Sequence, residues 1–446
     1  MQPALVATDS SALGSATPAH SRQPAAPRGW QPILDGILAD RATSAWRRIV
    51  KDITRRSAEF QLDASLAGGA MGIAVPFAYA AQAAALPDAE SQAVEWLERG
   101  MHASQHTRGG LSLYGGLAGV GWTIAHLTGG EESADDANFS ALDAALRYQL
   151  DVAPFDHLMP YDVVSGIVGW GAYALQRLPS PTARELLELA IARLAALSVA
   201  QPDGVAWLTP AATLPGNQRS QFPEGYFNLG VAHGVAGVVG LLAAAISRGV
   251  AVDAATRLLG QATSYLLAQQ NSADALGAYD YYVAPGQRGA SVSRLAWCYG
   301  DLGNAVVVAR AAAATGNGAW RRAAHELALR AARRGAATTG VEDAGLCHGA
   351  AGLAHLFNRL YQHFADDELR AAAIGWFART LAFEGRGGGV GGFAAWQHGL
   401  PSGPAWTDDP GLLEGASGVA LAFLAATTDV EPAWDAMLLA DLPVAL

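Results

Sequence analysis

Cys298 and Cys347 are the only thiols in a chain of 446 residues, and His348 directly follows the second of them. Two sulfurs and an imidazole suit a borderline-soft divalent ion, and three protein ligands with a fourth position open is the arrangement of a catalytic zinc centre. Spacing alone leaves alternatives, because the cysteines stand 49 positions apart and no Cys-x-x-Cys pair is present. Two buried free thiols beside a core histidine also fit. A disulfide is the third reading, disfavoured by the cytoplasmic context expected of the chain. His233 lies alone among apolar residues in Asn228-Leu229-Gly230-Val231-Ala232-His233-Gly234. It reads either as a satisfied core side chain or as a general acid or base. Asp162, after Tyr161, reads as a helix cap or as the partner that orients a histidine. Arg294 is a surface charge or, one turn before Cys298, a group for developing negative charge. Glu414 and Tyr114 are weaker candidates.

The elements that must position these residues repeat. Amphipathic, charged helical segments are expected near 33–57, 88–104, 138–151, 182–199, 252–270, 318–334 and 366–384. In the fourth, Leu187, Ile191 and Leu194 share one stripe while Glu185, Glu188 and Arg193 fall off it, the pattern of a helix with one buried face. After each segment comes a Gly-x-x-Gly that opens an apolar run. The first glycines of the seven pairs are Gly69, Gly116, Gly166, Gly234, Gly300, Gly349 and Gly415, with steps of 47, 50, 68, 66, 49 and 66. The count says little in a chain with 51 glycines; the shared context marks a repeat architecture. A helix with one wet face belongs outside, and one that is apolar all round belongs inside. Seven outer–inner pairs closing on themselves make an all-α fold, an α/α toroid or double α-barrel of seven outer and seven inner helices. An open solenoid is the alternative, but neither terminal repeat looks like a polar cap. The stretches 201–228 and 385–411 are the main loops, expected on one binding face.

Superposing the repeats on their first glycines brings the reactive residues into register. Cys298 and Cys347 sit two residues before it; His233, Tyr299, His348 and Glu414 sit one before; Asp162 sits four before. Equivalent ends of inner helices in a closed toroid share one mouth, so these side chains are expected to converge there.

Composition narrows the class. A chain 51% hydrophobic and 15% charged is not disordered, and a net charge of −11 gives no footprint for nucleic acid. Lys51 is the single lysine against 28 arginines, read as a base-composition bias of the source genome. The Ala/Ser/Pro-rich residues 1–28 are expected to be a mobile tail, with 29–446 a single α/α-barrel domain. No basic region followed by an apolar core opens the chain, so no signal peptide is read. The most apolar stretch, Leu229 to Ile246, holds His233 and four glycines and lacks basic flanks, so it is not read as a membrane span. A cytoplasmic location is expected.

Trp297-Cys298-Tyr299-Gly300, Gly345-Leu346-Cys347-His348-Gly349, Ala232-His233-Gly234 and Leu413-Glu414-Gly415-x-x-Gly418 resemble the signatures of the lanthionine synthetase C-like family, the lantibiotic cyclases. The resemblance runs from about residue 60 to 430. It implies one zinc ion per chain held by Cys298, Cys347 and His348, with Asp162, His233, Arg294 and Tyr299 as the catalytic surroundings. The implied reaction is addition of a precursor-peptide cysteine thiol to dehydroalanine or dehydrobutyrine, closing a lanthionine or methyllanthionine ring. His233 would protonate the resulting enolate, Asp162 would orient a histidine, and Arg294 would stabilise negative charge.

The implied partners are a dehydrated precursor peptide with its leader, a separate dehydratase, and a membrane export complex at the periphery. No dehydratase domain is read ahead of the cyclase, so the chain resembles the stand-alone cyclase of a class I system. Residues 201–228 look too ordinary to hold a large module for leader binding. Two rivals stand beside this reading: another α/α-toroid zinc enzyme of the prenyltransferase type, favoured by six repeats, and a non-catalytic scaffold that binds peptide or glutathione.

Overall fold

The computed structural model describes residues 29–106, 110–129, 137–154, 156–287 and 292–445. The proposed tail, 1–28, lies outside the described residues. Helices occupy the expected places. The inner set is α2 (Ala70–Gln82), α4 (Leu117–Thr128), α6 (Ile167–Gln176), α9 (Val235–Ser247), α11 (Asp301–Thr315), α13 (Ala350–Phe364) and α15 (Ala416–Thr427). The outer set is α1 (Gly36–Arg55), α3 (Ala89–Ser104), α5 (Ala137–Arg147), α7 (Pro181–Leu197), α10 (Val252–Ala268), α12 (Gly318–Arg333) and α14 (Asp367–Ala382), with a short α8 (Gly216–Gln221) in a loop. Inner helices are buried nearly all round; in α9 each residue from Val235 to Ala245 is buried, while α11 and α13 add buried polar side chains such as Asn304, His355 and Arg359. The apolar run at Leu229–Ile246 is therefore a mouth loop plus an inner helix. No described helix is long and apolar enough to cross a membrane.

Each inner helix packs against the next, and α15 packs on α2, so the ring returns on itself. Outer helices lean on the inner helix that precedes them, as α3 on α2, α10 on α9 and α14 on α13. The sequence order, amphipathic segment first, had paired them the other way. The consequence falls on α1, which packs on α15 at the far end of the chain and joins the two termini of the ring.

The glycine pairs have a specific cause. A Cβ on the second glycine would overlap the carbonyl oxygen of the residue six before it: Leu113 for Gly119, Val163 for Gly169, Leu346 for Gly352. The loop thus folds back over the first turn of its own helix. The same glycines receive the adjacent repeat: a Cβ on Gly119 would lie 3.0 Å from the Leu66 Cβ, and one on Gly72 would lie 2.9 Å from the Leu412 Cβ. The second of these contacts crosses the seam between the last repeat and the first.

Short antiparallel strands decorate the loops: β1 (Val199–Gln201) with β2 (Gly204–Ala206), β3 (Leu208–Thr209) with β4 (Tyr226–Asn228) and β5 (Tyr282–Val283), and β6 (Ala395–Gln397) with β7 (Ala405–Thr407). At the end away from the glycine loops, the C-terminal 3₁₀ segment Ala433–Leu438 turns into the lumen. Asp435, fully buried, accepts from His355 at 2.8 Å and from Arg359 at 2.6 and 3.0 Å. From the glycine-loop end, the Trp297 indole N–H donates to the Leu438 carbonyl at 2.8 Å. The centre of the ring is therefore packed with the chain's own end.

Candidate metal centre and its surroundings

Backbone hydrogen bonds between neighbouring glycine loops set the site. Ala67 N–H donates to Tyr114 O, Val163 to Ala232 O, Ala232 to Cys298 O, Trp297 to Cys347 O, Cys347 to Leu413 O and Leu413 to Ala67 O, at 2.7–3.2 Å. Every carbonyl in this series belongs to the residue two before the first glycine. Because Cys298 and Cys347 hold that position in consecutive repeats, they are set side by side although 49 positions apart.

The ligand-type atoms of Cys298, Cys347 and His348 lie within 4.8 Å of one another. Both cysteines are free. Tetrahedral zinc, with bonds of about 2.3 Å to sulfur and 2.0–2.1 Å to nitrogen, needs its donors about 3.5–3.8 Å apart, so small side-chain rotations complete the fit. The Cys298 thiol is brought down to about 5, because Cys347 hydrogen-bonds it and His348 adds a second bond, against the opposing effect of burial. Cys347, facing that negative sulfur and buried, is pushed up. Such a pair binds one proton fewer than two ordinary thiols, the state in which thiolates take up a divalent ion. Seven inner helices present their N-termini at this end, each with a glycine N-cap. Their partial positive charges favour anions here.

His233 Nδ1 is 2.9 Å from Asp162 Oδ2. The other oxygen, Asp162 Oδ1, accepts from Ser165 N–H at 2.6 Å, ahead of the helix that Gly166 N-caps, so this carboxylate ties its own turn and holds the histidine but does not cap the helix. At 42% exposure the His233 side chain is not a core filler. Burial opposes its charge, yet the Asp162 hydrogen bond and charge outweigh that and raise it above the usual histidine range. Tyr299 lies beside it, ring centres 6.3 Å apart, and its hydroxyl accepts from Asn228 Nδ2 at 3.1 Å. Arg294 is half-buried rather than a free surface charge, and lines a cavity of about 500 Å³ with His348, Glu414, Trp396 and His398. A second cavity, about 420 Å³, is lined by Asp162, His233, Tyr299, Asn228, Tyr226 and Met159. A third cavity, about 790 Å³, is at the opposite end of the ring, among Tyr79, His126 and Arg310, far from these groups.

Tyr114 leaves the set, because it is buried and its hydroxyl donates to the Met437 carbonyl at 2.9 Å, inside the lumen. Asn228, Tyr281, Trp396 and His398 were not read from sequence. Asn228 carried a signal: it stands six before its glycine, where Asp63, Asp343 and Asp409 stand in other repeats. Trp396 and His398 fall in the glycine-rich loop expected on the binding face.

With this geometry in place, likeness to known proteins is informative. A family model, lanthionine synthetase C-like protein, matches residues 61–439, and the chain belongs to that family. Nisin biosynthesis protein NisC of Lactococcus lactis subsp. lactis is 26% identical over 270 residues, 56% of this chain and 62% of that protein. The alignment thus spans somewhat under two thirds of that relative. The solved structure of a nisin cyclase matches with a TM-score of 0.70 over 88% of this chain and 96% of that one, at 19% identity, a likeness of fold.

Proposed function

We propose that this protein is a lanthipeptide cyclase that adds cysteine thiols of a dehydrated precursor peptide to dehydroalanine or dehydrobutyrine, forming (methyl)lanthionine thioether rings. The observation that carries the reading is a shared mouth with Cys298, Cys347 and His348 from two repeats and the Asp162–His233 pair from two others. The family description and the relative's role in nisin biosynthesis point the same way.

Cys298, Cys347 and His348 would hold one zinc ion per chain, which when bound supplies Lewis-acid activation of the incoming thiol. Everything else falls to side chains. Each addition takes one proton from sulfur and places one on the substrate's α-carbon, so mass is unchanged. Asp162 fixes the tautomer of His233 by accepting from Nδ1 and leaves Nε2 to carry the proton that the α-carbon receives. The Asp162 hydrogen bond and charge raise the affinity of His233 for that proton, against the opposing effect of burial. Arg294 and the hydroxyl of Tyr299 stabilise the negative charge that builds on the substrate carbonyl. Leu158, Met159 and Tyr226 give the His233 cavity an apolar wall for the substrate to pack on.

We take residues 29–446 as one cyclase domain served by a separate dehydratase, with the leader-bearing precursor as substrate and an export complex as a peripheral membrane partner. Two unpaired thiols suit a reducing cytoplasm. The test is a synthetic peptide carrying dehydroalanine and a cysteine a few residues downstream, incubated with zinc-loaded protein, its thiols counted by alkylation and mass spectrometry. Loss of alkylable thiol without mass change is expected; a thiol count equal to the enzyme-free control would overturn the proposal.

A further inference from the structure

Six residues before the first glycine, four repeats carry Asp63, Asn228, Asp343 and Asp409. All four do the same local job. Each Oδ1 accepts the backbone N–H two residues on: Ser65 at 2.8 Å, Gly230 at 2.9 Å, Gly345 at 3.0 Å and Gly411 at 2.7 Å. The second side-chain atom is where they part. In Asp343 it is an oxygen that accepts from Trp396 N–H at 3.0 Å. In Asn228 it is a nitrogen, 3.1 Å from the hydroxyl oxygen of Tyr299. The amide cannot be turned over, because the Gly230 N–H only donates and so fixes the oxygen of Asn228 against it, leaving the NH₂ for Tyr299. The Tyr299 oxygen therefore accepts, and its own proton points elsewhere. The space available is the cavity of about 420 Å³ that Tyr299 lines with His233 and Asp162. A carboxylate at 228, as in the three sister repeats, would instead take that proton for itself.

We propose that Asn228 is a positioning residue that sets the polarity of the Tyr299 hydroxyl, so that this hydroxyl donates into the His233 cavity, to the carbonyl oxygen that turns negative as the thiol adds. The role rests on the cyclase reading above. Asn228 is rigid enough for it: 2% exposed, at the end of β4, and paired in register with Tyr282 of β5. The Tyr299 ring is held edge-on by Tyr281, centres 5.0 Å apart. A donor fixed before the reaction costs no reorganisation when charge develops.

Asn228→Asp keeps the size and the turn and reverses the polarity. With the dehydroalanine–cysteine peptide, it is expected to lower kcat by about 10²-fold, the scale of losing one oxyanion donor, with KM and melting temperature nearly unchanged. In a Tyr299→Phe background the same substitution is expected to cost nothing more. An undiminished loss in that background overturns the proposal. A second readout needs no turnover: the tyrosine Fermi doublet in Raman spectra, taken as the difference against Tyr299→Phe. It is expected to report a hydroxyl that accepts as well as donates in the wild type and to move toward one that only donates in Asn228→Asp. A wild-type doublet of a hydroxyl that donates without accepting, or no shift in the variant, also overturns it. Should wild-type protein consume no thiol at all, the cyclase reading fails while the doublet still judges the Asn228–Tyr299 polarity.

Discussion

Cys298 and Cys347 hold the same place in consecutive repeats, and the hydrogen-bonded glycine loops set the two sulfurs side by side with the His348 ring. That both precede their glycines by two places is visible in the chain; that this place is where adjacent loops hydrogen-bond, Trp297 N–H to Cys347 O, is a property of the folded ring. The Asp162 carboxylate places one oxygen on its own turn, at Ser165 N–H, and the other on His233, so of the two roles considered it takes the histidine partner's and not the helix cap's. Asn228 went unread because its meaning lies in one atom's difference from three aspartates, and that matters only once Tyr299 is known to face it. The donor set leads to a prediction at this scale. Wild-type protein should bind one zinc, and Cys347→Ala should weaken binding by more than the roughly 10–100-fold typical of losing an outer partner of a ligand. Metal analysis of the purified variant decides it; full stoichiometric zinc would show that the ligands are assigned wrongly.

Among the elements, amphipathic against all-apolar composition placed fourteen helices and told inner from outer, since burial on one face or on all faces is written directly into residue choice. It did not give their pairing, because a buried stripe on an outer helix fits the inner helix before it as well as the one after. Nor did it give the C-terminal segment, whose Trp434, Met437 and Leu438 look ordinary until their place in the lumen is seen. The glycine pairs carry a contrast that composition conceals. A Cβ on Gly119 would overlap the Leu113 carbonyl, whereas one on Gly375, on the exposed side of α14, meets nothing within 4 Å. Gly119→Ala should therefore cost several kcal/mol or prevent folding, as overpacking against backbone does. Gly375→Ala should stabilise by about 0.5–1 kcal/mol through helix propensity. Denaturant unfolding of the two variants tests this, and similar midpoints would refute the close-approach account of the glycines.

At the scale of the molecule, the two ends of the ring divide the work. The end away from the metal ligands is closed by Asp435, His355 and Arg359, all buried. Burial disfavours the Asp435 charge, but Arg359 and the His355 hydrogen bond outweigh it and hold the carboxyl below the usual range. Burial pushes His355 down as well. Both folded values lie under the unfolded ones, so the stability they confer is present above the unfolded values and is lost as pH falls. The loss begins below about 6.5 for the histidine and below about 4 for the aspartate. Melting temperature should hold from pH 8 to 7 and drop below about 6, with a shallower acid slope in Asp435→Asn. That variant should itself be about 3–5 kcal/mol less stable, since it removes the buried carboxylate that pairs with Arg359 and leaves that guanidinium only the half-exposed Glu431 and the carbonyls of Pro432 and Leu442. Equal acid slopes in the two proteins would contradict the linkage.

The opposite end joins the candidate ligands Cys298, Cys347 and His348 of two repeats to the Asp162–His233 pair from two others, and the central claim of the proposed function is that metal binding and proton transfer are separate functions meeting at one mouth. His233→Ala tests it most directly. The protein should fold, melt near the wild-type temperature and bind one zinc, yet consume peptide thiol about 10²–10⁴-fold more slowly, the usual worth of a positioned acid or base. Thiol consumption near the wild-type rate by folded, zinc-loaded His233→Ala would contradict it.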